Sequence, residues 1–196
     1  WHNHTFKPRL SICYTTDMAK AKLIVLNGFA AAGKTTIANM YIAEHSLALS
    51  LEADALVDNI SDWVSHKEEV RQLTFELTKA MLRTYLPTGH DVVLPYLVIN
   101  AEEVKEFESI ATECNSDYYE FVLYNEHADA IARLFKRGKW GEATSPPLTE
   151  KDLPEIEDIL AKMESTLKIR PNSIKISVKD QDPNTTYAQL LEHLKP

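Results

Sequence analysis

A glycine-rich turn between an apolar strand and an amphipathic helix constrains this chain more than any other feature. Leu23-Ile24-Val25-Leu26-Asn27 runs directly into Gly28-Phe29-Ala30-Ala31-Ala32-Gly33-Lys34-Thr35, a full match to GxxxxGK[ST]. At ordinary residue frequencies a chain of this length shows the pattern by chance about once in 100 to 200 cases. The helix that follows places Ile37, Met40 and Tyr41 on one face, so the motif has the strand and helix that its chemistry requires. Glycines let the backbone curl around phosphate with its N–H groups inward, and the helix start adds a partial positive charge. Gly28, Phe29, Ala30, Ala31, Ala32, Gly33, Lys34, Thr35 and Thr36 are therefore read as the nucleotide contacts. Lys34 is expected to reach the β- and γ-phosphates, and the Thr35 hydroxyl to ligate Mg²⁺.

From Lys22 onward, short apolar runs alternate with helical periodicity, the pattern of βαβ units. Five strands are expected: Leu23 to Asn27, Leu47 to Leu51, Val92 to Ile99, Tyr118 to Tyr124 and Ser173 to Val178. Their continuous apolar character predicts an α/β fold, a three-layer α/β/α sandwich with a five-stranded parallel sheet. Val70, Leu73, Leu77 and Met81 predict the buried stripe of a helix over His66 to Tyr85. Asn100 with Glu103 resembles a capping box opening the helix through Val104, Phe107, Ala111 and Cys114. A helix from near Asn125 is expected to bury Ala128, Ile131, Ala132 and Phe135, turning Arg133 and Arg137 onto one polar face. Gly138-Lys139-Trp140-Gly141 ends it, and Thr144-Ser145-Pro146-Pro147 reads as a mobile connector. Leu153, Ile156, Leu160, Met163 and Leu167 mark another helix, and Asp182-Pro183 caps the last one.

The 196 residues fit one domain, placed at 18–196, with 1–17 as a flexible extension of different composition that includes His2 and His4. A net charge of -8 argues against long nucleic acid and anionic membrane as partners, since both require a dominant basic surface. Cys13 and Cys114 are too few for a disulfide framework, and no apolar run approaches the roughly 20 residues that span a bilayer, so a cytoplasmic setting is expected. The histidines show no zinc-ligand spacing, and no Gly-x-Ser-x-Gly elbow is present.

The phosphate loop, its flanking elements and the arginine-bearing helix together resemble the small P-loop kinases related to polynucleotide kinase, chloramphenicol phosphotransferase and zeta toxin. The resemblance covers Lys22 to about Val178. It implies a nucleoside- or nucleotide-kinase-like P-loop NTPase fold with a lid around 133–147. In these families the second strand leads to an aspartate that receives the acceptor proton, and Leu51-Glu52-Ala53-Asp54 falls at that place. Asp54 is the implied base and acceptor contact, with helix capping by Asp54 or Asp58 as the alternative. Arg133 and Arg137 match the lid arginines that neutralise transition-state charge. Arg71 lies in the implied acceptor region, where it would hold an anionic group or make an ordinary surface salt bridge. Relatives place an aspartate at or near the carboxyl end of the third strand; here the chain reads Val92-Val93-Leu94-Pro95-Tyr96-Leu97-Val98-Ile99-Asn100, with Asp91 at the other end. Lys179 to Pro183 corresponds to the purine-contacting loop.

The expected activity is ATP-dependent, Mg²⁺-dependent phosphoryl transfer to a hydroxyl of a small molecule, nucleoside or nucleotide end. The alternatives are a P-loop NTP hydrolase or switch, and a nucleotide-binding module without catalysis. No Asn-Lys-x-Asp guanine signature is present, which favours ATP over GTP.

Overall fold

Alternating buried strands and amphipathic helices set the architecture of the computed structural model, which describes residues 20–178 and 182–194. The order is β1 (Lys22–Asn27), α1 (Lys34–Glu44), β2 (Leu49–Ser50), α2 (Ala53–Val57), α3 (Lys67–Tyr85), β3 (Val92–Tyr96), α4 (Ala101–Glu113), β4 (Asp117–Tyr124), α5 (His127–Arg137), α6 (Leu153–Lys168), β5 (Ile174–Ser177) and α7 (Pro183–His193). All strands are parallel, in the order β2-β3-β1-β4-β5. The connection from β1 runs outward past β3 to β2, and the connection from β3 crosses back past β1 to β4, so a crevice opens beyond the carboxyl ends of β1 and β3. The expected α/β/α sandwich is therefore the observed fold. The expected extension at 1–17, with His2, His4 and Cys13, and the stretch 179–181 lie outside the described residues.

Strand alternation divides the core into two faces. Ile24, Leu26, Val93 and Phe121 pack with Ile37 and Tyr41 of α1 and Leu190 of α7. Leu23, Val25, Val92 and Leu94 pack with Leu82 of α3 and Phe107 and Ile110 of α4. A third cluster joins Phe29 and Ala30 of the phosphate loop to Leu134 of α5 and Ile156 and Leu160 of α6. Pro95 sits within a central strand at no cost to the ladder. The carbonyls of Asp91 and Val93 face β2, so by alternation the missing N–H of Pro95 also points that way, one step past the last β2 bond, from Leu51 N to Val93 O at 2.9 Å.

Several expectations are corrected in detail. β2 is two residues long rather than spanning Leu47 to Leu51, and β3 stops at Tyr96 because the Asn27 Oδ1 captures the Val98 amide at 3.1 Å. On α3, Leu73, Leu77 and Met81 are exposed, and the buried face is Val70, Thr74, Thr78 and Leu82. Burial of the threonines is possible because each hydroxyl donates to its own helix, Thr74 to Val70 O at 2.9 Å and Thr78 to Thr74 O at 2.8 Å. On α5 the buried positions are Ala130 and Leu134, while Ala128 and Ala132 are exposed. Asn100 caps α4 by accepting from Glu102 N at 3.0 Å; Glu103 does not reach back to complete a capping box, because it is buried against Arg71 and Tyr96.

Candidate active site

β1 delivers the chain into the phosphate loop at the mouth of the crevice. The backbone takes positive φ at Ala31 (62°) and Gly33 (93°), and Gly33 stands at the start of α1. Gly28 is required by proximity, since a Cβ there would meet Leu123 O of β4 at 2.7 Å. The first turn of α1 carries Lys34, Thr35 and Thr36, and its amides have no acceptor one turn back. Phe29, Ala30 and Ala32 are buried, which locks the loop onto the sheet. Thr35 and Thr36 are exposed at the crevice.

Lys34 curls over this loop, its Nζ donating to Gly28 O at 2.7 Å and Phe29 O at 3.1 Å. Burial lowers its pKa from 10.5 to about 8; the negative field of Asp54 works against that shift, and the positive field of Arg137 adds to it. A polyphosphate here would relieve the burial cost of this ammonium, so the residues present fit such a group. Among the described residues no group of three or more His, Cys, Asp or Glu side chains is arranged to hold a metal.

Asp54 stands in the first turn of α2, reached directly from β2. The residue as a whole is exposed, but its carboxylate is partly desolvated under Gly141 and lies within range of the charges of Lys34, Arg137, Glu52 and Glu142. The surrounding protein, and after it the charge of Glu142, raise its pKa above the ordinary aspartate value. It makes no side-chain cap to α2, and neither does Asp58.

The segment after α5 folds down onto this carboxylate. Gly138 ends α5 in the left-handed region (φ 81°), and Leu148 N returns to Gly138 O at 2.8 Å. Trp140 packs edge-on against Phe29 of the phosphate loop, ring centroids 6.1 Å apart. A Cβ at Gly141 would overlap the Asp54 carboxylate, so a larger residue there would displace either that side chain or the backbone that rests on it. Asp58 holds the next residues, accepting from Ala143 N at 2.7 Å, Thr144 N at 3.0 Å and Thr144 Oγ1 at 2.5 Å. Trp63 Nε1 donates to Thr144 Oγ1 at 2.9 Å, so the connector expected to be mobile has a defined seat. Desolvation would raise the Asp58 pKa, but the Thr144 hydroxyl and the two amides hold it below the usual range.

Residues 23–164 match the family described as an AAA domain. The chain belongs to that family. No curated protein matches it. The solved structures similar to this AAA-domain chain include shikimate kinase from Aquifex aeolicus, at TM-score 0.62 and 17% identity over 88% of this chain and 95% of that one. APS kinase of Mycobacterium tuberculosis in complex with AMPPNP and APS matches at TM-score 0.57 and 13% identity, covering 90% and 99%. A chain of the Pnkp1/Rnl/Hen1 RNA repair complex matches at TM-score 0.61 and 16% identity over 78% of this chain; the match spans about half of that longer chain (47%). These likenesses show a P-loop kinase-like fold.

Within this AAA-domain chain the sequence-derived residues separate into two groups. Lys34, Asp54 and Arg137 converge on the loop, with Arg137 also donating to Trp140 O. Arg133 instead donates to Val178 O at 2.9 Å, at the end of β5. Arg71 is engaged by the Glu103 carboxylate and lies 3.8 Å from Glu68. Tyr96 occupies the third-strand end where the resemblance implies an aspartate, and its hydroxyl lies 3.3 Å from Glu103 Oε2. Sequence reasoning missed Gly141, Glu142, Trp63 and Thr144, and considered Asp58 only as a cap. The one available signal was a tryptophan and two glycines in a stretch read as a helix terminator.

Proposed function

We propose that this chain is an ATP-dependent kinase that transfers a phosphoryl group to an alcohol. The observation that carries the reading is the convergence of Asp54 with Lys34 and Arg137 at the phosphate loop. When bound, Mg–ATP supplies the transferable phosphoryl group and a metal charge that offsets the phosphate oxygens. The loop amides and the start of α1 hold the phosphates, and Thr35 ligates the metal. Lys34 exchanges its two carbonyl partners for phosphate oxygens. Asp54 orients the acceptor hydroxyl and takes its proton as the new oxygen–phosphorus bond forms and the bond to the departing ADP oxygen breaks. A raised pKa brings this carboxylate closer to the acceptor in basicity, although positioning contributes more than basicity in a loose transition state. Arg137 neutralises charge on the moving group, and the lid excludes water, which would otherwise compete as the acceptor.

The test is product-detected transfer from γ-labelled ATP with Mg²⁺ to a panel of hydroxyl compounds, for wild type, Lys34→Ala and Asp54→Asn. Labelled product from wild type, lost in both variants, is the expected result. Phosphate release without labelled acceptor, unchanged by Asp54→Asn, would move the assignment to an NTP hydrolase or switch.

A further inference from the structure

The charge around Asp54 narrows the acceptor, on the reading that Asp54 marks where the acceptor hydroxyl is held. Between residues 52 and 71, the stretch that carries Asp54 into α3, the sequence has six carboxylates and two full cations, Lys67 and Arg71. Both cations already have carboxylate partners. Lys67 lies 3.9 Å from Glu155, and Arg71 pairs with Glu103 and Glu68. Glu103 is buried, with only 6% of its surface exposed, so removing Arg71 to serve a ligand would strand a carboxylate without its counter-charge. His66 is likewise placed between Asp62 and Glu69, at 3.7 and 3.6 Å.

The lid adds to this pattern. Glu142 follows Gly141, the residue seated on Asp54, and its charge reaches the Asp54 carboxylate. Lys139, the lid's own lysine, donates to Ala143 O at 2.9 Å. Lys34 and Arg137 are the cations beside Asp54, and in the proposed reaction both serve the nucleotide phosphates. A carboxylate or phosphate on the acceptor would therefore enter a cleft of like charge, while a hydroxyl or amine would find acceptors. Like-charge juxtaposition of this kind disfavours wrong substrates, as unpaired or repelled charges do at specific interfaces generally.

We propose that the acceptor is an alcohol bearing no negative charge, a neutral polyol or an amino alcohol. Nucleotide and nucleic-acid ends fall outside this class. The chain is incubated with γ-labelled ATP and Mg²⁺ in two halves of a protein-free yeast small-molecule extract. One half is the fraction that passes an anion-exchange column at neutral pH, and the other is the fraction retained and then eluted. The expected result is labelled product from the unretained fraction at a rate at least about tenfold above the retained fraction. Equal or greater labelling in the retained fraction would overturn the inference while leaving the kinase reading intact. Label in neither fraction would overturn both, because phosphoryl transfer itself would then lack support.

Discussion

The phosphate loop and the lid meet across one crevice, yet different forces hold them. The loop is fixed by apolar burial, with Phe29 and Ala30 joined to α5 and α6 and Gly28 pressed on β4. The segment after α5 has Trp140 and Leu148 at its ends packed on that same cluster, but its middle is fixed by polar contacts to α2 and the turn after it, centred on Asp58 and Thr144, both accessible to water. Apolar burial in a sheet-backed loop persists whether or not a ligand is bound. A few solvent-accessible hydrogen bonds, each contributing about 1 kcal/mol net, can exchange with water at small cost. On the proposed reading, the loop would present a constant phosphate site, and the middle of the segment over Asp54 would be the part that opens and reseats.

Substitutions can break this contrast at either end. The largest effect is expected for Lys34→Ala, which should lower phosphoryl transfer by about 10³-fold or more, since it removes a charge from the transferring phosphates. Thermal unfolding should show no loss of stability, because the variant no longer buries an ammonium held by backbone carbonyls. Gly141→Val should follow, at about 10²-fold in transfer, with ATP affinity held within about twofold, because its side chain displaces the lid or Asp54 and leaves the loop untouched. A matching loss of ATP affinity would mean that the two regions are not separable.

Titration sharpens the loop side. Lys34 has its pKa lowered to about 8. A bound polyphosphate favours the charged form and raises that pKa, so nucleotide binding takes up a proton above about pH 8. ATP affinity should then be constant below that point and weaken with rising pH, by up to about tenfold per unit. Isothermal titration across pH 6.5 to 10 checks this, and Lys34→Ala should lose the dependence. The smallest effect is expected for Asp58→Ala. Limited proteolysis within residues 139–149 should accelerate several-fold while the melting temperature moves by no more than about 4 °C. A global destabilisation instead would show that the lid belongs to the core.

The same contrast explains what was legible in the sequence. Strand, loop and helix around Gly28 to Thr35 are contiguous, so local pattern and motif chemistry suffice to place them. The lid contacts join residues 85 and 86 positions apart, Asp58 to Ala143 and Thr144, and no local signal encodes such a pairing. Arg71 illustrates the limit differently. Its type and position fit an anion contact, but the carboxylate that claims it, Glu103, belongs to a helix whose own start explained that glutamate equally well. The face of α3 was misread because hydrophobicity favoured Leu73, Leu77 and Met81, whereas threonines bonded to their own helix cost little to bury.

The most direct test of a division between phosphate holding and phosphoryl transfer is Asp54→Asn, measured for ATP affinity by titration and for transfer in a single turnover. The account predicts ATP affinity within about twofold of wild type and transfer slowed by at least about 10²-fold. Undiminished transfer, or ATP affinity lost in step with it, would contradict the placement of the acceptor's proton on this carboxylate.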